Sequence, residues 1–291
     1  MLGVVMFFLV LIFLVLQAVA FVTLYERHLL GGSQERVGPN KVSFWGLAQA
    51  IFDGIKLLKK EVSLGSFYSL FYFMMVPSFS FFIMLMLWFV LPYFYSCVGV
   101  EYMVLLFMCL VGVTTYGLLI SGIVSKCKYG FLGSMRASSQ SLSYEVVFYI
   151  IVLCMLSGLG LYYFDFSFSL VSVTWFLFFF IMVLSELGRA PFDFAKGESE
   201  LVSGYNVEYS GVPFVLLFLK KYGSLLFYSC LMSVFFFFSS LFFVFLIFSL
   251  MIFVRSSYPR YRYDKLMFFF WIILMPFVLI LLYFVVGVWI Y

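Results

Sequence analysis

The sequence predicts an all-α polytopic membrane protein of about eight transmembrane helices, with an amphipathic interfacial helix in its first inner loop. Of 291 residues, 66% are hydrophobic and 10% are charged, with a mean hydropathy of +1.17. A water-soluble domain carries about 25% charged residues, so water is not the main solvent. Residues 2–25, 67–91 and 267–291 hold no charged side chain, and each stretch is long enough to cross a hydrocarbon core of roughly 30 Å as a helix. A transmembrane β-barrel would alternate apolar and polar positions, whereas runs such as residues 235–238 are apolar on every side.

Hydropathy places spans at 2–25, 67–91, 100–124, 143–163, 170–189, 211–234, 239–254 and 266–290 within a single membrane domain, 1–291. The sixth and seventh read as one long bent hairpin, because only Ser239-Ser240 hints at a turn. Pro77 and Pro276 predict kinks in the second and eighth spans. The first span is expected to stay in the mature protein: it lacks a basic start, and Tyr25-Glu26-Arg27 offers no small-residue cleavage site.

Basic residues then set the topology. Arg27, Arg36, Lys41, Lys56, Lys59 and Lys60 fall in the first connection (26–66), and Lys126, Lys128 and Arg136 in the third (125–142). Arg189 and Lys196 fall in the fifth (189–211), and Arg255, Arg260, Arg262 and Lys265 in the seventh (255–265). Lys220 and Lys221 lie near the start of span six, toward the same side. The even connections carry no Lys or Arg, so the positive-inside rule puts both termini outside and these four loops inside.

The inner loops contain more than linker sequence. In the first, Phe44, Leu47, Ala48, Ile51, Ile55 and Leu58 recur at helical spacing, with Gln49, Asp53, Lys56 and Lys60 on another face. This predicts a helix anchored at the headgroups. Before it, the Gly-Pro turn in Gly32-Ser-Gln-Glu-Arg36-Val-Gly-Pro-Asn40 suits the holding of one geometry. The third inner loop gathers Asp193, Glu198, Glu200 and Glu208 beside the membrane, a proton-handling element if it is covered. Glu145 and Glu186 lie just inside spans four and five, as headgroup-reaching helix ends or as an internal polar route. Glu101 and Asp165 read as interfacial. Five scattered cysteines and the single His28 supply neither an iron–sulfur cluster nor a zinc site.

Specific motifs join these features in order. Tyr25-Glu26-Arg27, Gln34-Glu-Arg36-Val-Gly38-Pro39-Asn40, Asp53-Gly-Ile-Lys56-Leu-Leu-Lys-Lys-Glu61, Leu132-Gly-Ser-Met-Arg136 running on to Tyr144-Glu145, Glu186 with Arg189-Ala-Pro-Phe-Asp193, Gly197-Glu-Ser-Glu-Leu-Val202, Tyr205-Asn-Val-Glu-Tyr-Ser-Gly211 and Tyr258-Pro-Arg-Tyr-Arg262-Tyr-Asp264 span the whole chain. They resemble the inner loops of the subunit 1 family of the proton-pumping NADH:quinone oxidoreductase, respiratory complex I.

The resemblance implies a membrane-arm subunit of this enzyme whose inner loops form much of a quinone chamber and couple quinone reduction to proton pumping. Glu26, Arg27, Gln34, Arg36, Phe52, Asp53 and Lys56 match the region framing the quinone. Glu145, Glu186, Asp193, Glu198, Glu200 and Glu208 match the acids expected to carry the coupling signal, and Arg136, Arg189, Arg260 and Arg262 their basic partners. The chain would bind no redox cofactor of its own: ubiquinone is the expected substrate, and FMN and iron–sulfur clusters are expected in partner subunits. Expected partners are other complex I subunits and membrane lipid, with no nucleic acid. The 43 phenylalanines suggest a T-rich coding genome, which favours the mitochondrial inner membrane over a bacterial plasma membrane, with the termini on the intermembrane-space side and the odd loops in the matrix.

The chain departs from the usual family pattern at His28 (commonly Lys), Leu187-Gly188 (Thr-Asn), Lys221 (often Glu) and Ile272 (Lys). Two other classes stay open, a stand-alone secondary transporter and a homologous subunit of a membrane-bound hydrogenase. No internal repeat of the kind transporters carry is visible.

Overall fold

A computed structural model describes residues 2–62, 70–92, 103–159, 170–193, 206, 208–237 and 240–290, and every regular element in them is helical. In chain order these are α1 (Leu2–Ser33), α2 (Leu47–Lys59), α3 (Leu70–Phe89), α4 (Met103–Val124), α5 (Lys128–Leu159), α6 (Leu170–Glu186), α7 (Gly211–Phe236) and α8 (Leu241–Ser257). The last helix, α9 (263–290), has α-helical ends, Tyr263–Phe268 and Met275–Ile290, around a π-helical Phe269–Leu274. Among the described residues six helices are long and apolar enough to cross a membrane, namely α1, α3, α4, α5, α7 and α9. The described part of α6 and all of α8 are shorter apolar helices, occupying the places of the fifth and seventh predicted spans.

The expected hairpin between spans six and seven is present as two helices. Phe237 leaves the helical region at φ −141°, ψ 35°, and Ser240 sits extended at the start of α8. Pro276 follows directly on the π-helical turns: a residue without an N–H cannot make the i→i−4 bond, and the wider winding absorbs it.

Helix α5 begins at Lys128, well before the predicted span start at 143. Its first half is rich in serine, which hydropathy scores as loop. In the fold Ser134, Ser138, Ser139, Ser141 and Ser143 each donate a hydroxyl hydrogen bond to the carbonyl three residues back, so their polarity is met inside the helix. The small side chains also let α4 and α5 approach. A Cβ added at Gly122 would lie 2.0 Å from Ser134 Oγ and 2.1 Å from its Cβ, the close backbone contact that membrane helices use where water supplies no driving force.

The main core is shared by α3 to α9 and is strongly aromatic: Phe107, Phe148, Phe179, Phe227 and Phe270 are fully buried. Helix α1 packs on α7 and α8 and turns Met6, Leu9, Val10, Phe13 and Leu14 outward, as a lipid-facing helix does.

Helix α2 touches α1 and α7. Its half-buried positions are Ala48, Gln49, Ala50, Asp53, Gly54 and Leu57, while Leu47, Ile51, Ile55 and Leu58, together with Phe44 before it, are exposed. The helix thus clips to the bundle by a small and polar face and presents its apolar stripe to the surroundings, as an interfacial helix does.

Replacing Gly122 by alanine should force α4 and α5 apart. The expected cost is about 1–3 kcal/mol, read as a lower melting temperature of the detergent-solubilised protein, with Gly32→Ala, at a position with open space around it, as the unaffected control.

Candidate functional site

The loop after α1 folds back tightly on it. His28 Nε2 donates to the Trp45 carbonyl at 3.2 Å, and its ring leaves no room for a side chain at Gly38, where a Cβ would come within 2.5 Å of Nδ1. Gly46 sits at φ 71° with the Pro39 carbonyl where a Cβ would go, so only glycine fits. His28, a departure from the family pattern, is therefore a clamp on the Gly-Pro turn. Beside this clamp Arg27, Arg36, Val37, Gly38 and Pro39 line an open notch of about 470 Å³. Arg27 Nη1 pairs with Asp53 Oδ2 at 2.9 Å, Gln49 Nε2 donates to Asp53 Oδ1 at 2.7 Å, and Arg36 Nε donates to Gln34 Oε1 at 2.9 Å. Four of the residues matched to the quinone region, Arg27, Gln34, Arg36 and Asp53, thus form one neighbourhood. Phe52 and Lys56 lie on the exposed part of α2.

Glu26 points the other way, into the bundle. Its carboxylate is 4% exposed and accepts from Arg189 Nη1 at 2.9 Å, with Arg189 itself 3% exposed. Arg255 Nη1 donates to the same oxygen, Tyr222 bonds the carboxylate, and the Arg189 guanidinium lies 5.2 Å from the centre of the Tyr222 ring. A desolvated carboxylate is tolerable only with such partners.

The position of Arg189 follows from how α6 ends. Gly188 is left-handed at φ 52°, its N–H bonds the Ser185 carbonyl at 3.0 Å, and the Arg189 N–H reaches the Leu184 carbonyl at 3.5 Å. This is a Schellman cap, which glycine makes at no steric cost. The Leu187-Gly188 departure therefore supplies a buried core contact at Leu187 and a helix stop at Gly188.

The segment after the cap is held from two sides. Gln140 Nε2 donates to the Phe192 carbonyl at 2.7 Å, the Tyr261 N–H bonds the Pro191 carbonyl at 3.0 Å, and the Phe192 ring stacks on Tyr261 at 5.9 Å between centroids. Gly211, at the start of α7, abuts the Lys60 carbonyl. All four odd connections accordingly meet at one end of the bundle: Glu26 and Lys60 from the first, Gln140 from the second, Arg189 to Phe192 and Gly211 from the third, and Arg255 and Tyr261 from the fourth.

The other acids are placed separately. Glu145 is buried in α5 with Thr115 beside it, and it and Glu186 lie close enough to feel each other's charge. Tyr149 and Tyr228 lie within the electrostatic reach of both. Asp193 and Glu208 are half-buried, Asp193 within the field of Arg255, whereas Glu198 and Glu200 lie outside the described residues, as do Glu101 and Asp165. Of the expected basic partners, Arg189 reaches Glu26, a residue matched to the quinone region. Arg262 pairs with its neighbour Asp264 at 3.1 Å on the surface, and Arg136 and Arg260 are exposed. Sequence reasoning counted Arg255 for topology alone and missed Tyr222. The available signal was Arg255 as the lone charge ending the apolar run of α8.

A sequence profile of the NADH dehydrogenase family matches residues 6–286. The chain belongs to this family. It is 40% identical over 296 residues to NADH-ubiquinone oxidoreductase chain 1 of Aedes aegypti, covering 96% of this chain and 94% of that one. The protein of the same name from Artemia franciscana is 42% identical, covering 90% and 91% of the two chains, and that of Metridium senile 36%, covering 90% and 86%. For this NADH dehydrogenase family member the match runs through the transmembrane helices as well as the loops.

Breaking the Glu26 cluster on one side should be severe. Glu26→Gln leaves two guanidinium groups facing each other without a counter-charge, and loss of one partner of a buried pair costs about 3–5 kcal/mol. The expected readout is loss of folded protein in a detergent thermal-shift assay, with partial recovery when Arg255→Met is added.

Proposed function

We propose that this chain is the chain 1 subunit of a proton-translocating NADH:ubiquinone oxidoreductase of the mitochondrial inner membrane. In this reading it holds the quinone and passes the energy of quinone reduction to the proton-pumping subunits. It brings no redox group: flavin and iron–sulfur clusters belong to partner subunits, and the four odd connections face the matrix.

The observation that carries the reading is the meeting of those four connections around Glu26, Arg189 and Arg255. An exposed apolar stripe on α2 stands beside a notch lined by Arg27 and Arg36. A lipid-soluble quinone needs that combination, an apolar path for its tail and polar donors for its head. Charged residues lead along the chain from the notch toward the interior. Arg27 follows Glu26 in α1, Glu26 binds Arg189, and Glu186 lies three residues before Arg189 in the chain. Reduction of the quinone head creates negative charge, and negative charge near carboxyl groups favours their protonated forms. In this reading Glu145 and Glu186, which lie within each other's field, receive that signal.

Two measurements test this. Purified in mild detergent, the chain should bring flavin and iron–sulfur subunits with it; hydrogenase subunits, or none, would point to one of the two rival classes. In the intact enzyme, Arg36→Ala should raise the KM for a short-chain quinone several-fold, about 1 kcal/mol or more of lost binding, while Glu145→Gln should lower protons pumped per electron. Unchanged pumping in Glu145→Gln removes that residue from the relay.

A further inference from the structure

Inside the bundle lies a cavity of about 70 Å³ lined by residues of α3 to α7, among them Glu186, Lys220, Lys221, Thr114, Ser141 and Ser224, with Tyr228 at its wall. Its chemistry differs from that of the Glu26 cluster. A buried water needs about 10–15 Å³ and two to four polar partners, so the space accommodates more than one. The serines are set as acceptors: Ser141 Oγ donates to the Ser138 carbonyl at 3.0 Å, and Ser224 Oγ donates to the Lys221 carbonyl at 3.0 Å, so that their remaining lone pairs can accept. With the Glu186 carboxyl, acceptors outnumber what an anion would want. The site is built for donors, namely ammonium and water.

Both lysines line this cavity. Lys220 Nζ is tethered to the Thr114 carbonyl at 3.3 Å. Lys221 shares the cavity with Glu186, and the next residue in the chain, Tyr222, bonds Glu26. Glu186 in turn precedes Arg189 by three residues. Cavity and ion cluster therefore share two stretches of chain, residues 186–189 and 221–222.

We infer that this cavity is a hydrated proton-exchange site in which Lys221 is the proton donor to Glu186. This rests on the proposal that Glu186 takes part in coupling, and it adds the amine as the exchanging group. In the step, one N–H bond of the Lys221 ammonium breaks and one O–H bond forms on Glu186, the proton passing directly or through water held in the cavity. A charged pair becomes a neutral pair, and the total charge of the cavity does not change. Lysine suits this role because its ammonium gives up a proton when desolvated, whereas the guanidinium of arginine stays charged in proteins.

That contrast supplies the test. The intact enzyme is reconstituted in liposomes carrying Lys221→Arg, Lys221→Gln or Glu186→Gln, and protons translocated are measured against electrons passed to quinone. Lys221→Arg retains the charge and should still lose about half or more of the protons per electron, as should Lys221→Gln. Wild-type stoichiometry in Lys221→Arg overturns the inference, leaving the amine as a counter-charge. Wild-type stoichiometry in Glu186→Gln instead overturns the coupling role of Glu186 proposed above. Should the Lys221 variants fail to assemble, the wild-type enzyme decides: quinone reduction should produce a new protonated-carboxyl band in the infrared difference spectrum, and no such band overturns the exchange.

Discussion

A carboxylate buried at the junction of helices that are distant in sequence governs the rest of this structure. Glu26 is held by Arg189 and Arg255, which lie 163 and 229 residues away along the chain. Neither Glu26 nor Arg189 is acceptable in an apolar interior alone, and the desolvation of each is repaid by the other, with the half-exposed Arg255 adding a second positive charge at the rim. The cluster therefore requires that the end of α1, the turn after α6 and the end of α8 sit on one side of the bundle. An arrangement that scattered the basic connections over both membrane faces would leave at least one of these ions without a counter-charge. The excess of Lys and Arg in the odd connections follows the same arrangement, and the contacts of Gln140 and Tyr261 with the segment after Arg189 extend it to the second and fourth loops.

Around this polar junction the packing follows the rules of a lipid solvent. Lipid tails are as apolar as leucine, so helices associate through close contact and satisfied hydrogen bonds. Gly122 against Ser134 and the serine ladder of α5 show both devices in one interface. The phenylalanines that dominate the composition fill the interior between α4, α5, α6 and α7 by edge-to-face and tilted contacts, as at Phe107, Phe148 and Phe179. Rings pack at defined angles, and a core built from them holds polar groups along its seams, among them Glu145 with Thr115. The fold thereby keeps the exposed arginines of the notch apart from the buried Glu145.

The sequence on its own determined the class of fold, the membrane setting and the family, because long apolar runs, basic asymmetry and loop motifs are local properties that survive without coordinates. It also named most of the charged groups. Their partners were a different matter. Arg27 with Asp53 and Glu26 with Arg189 arise from contacts between distant segments, and no periodicity or spacing encodes which way Glu26 turns. The serine-rich start of α5 read as loop because hydropathy scores a hydroxyl as though it faced water, whereas in the fold it bonds its own helix. The apolar stripe of α2 was legible, but only the packing of its opposite face on α1 and α7 decided that the stripe points outward. Tyr222, indistinguishable from many other aromatics in the sequence, became part of the site only when three helices brought it against a buried carboxylate.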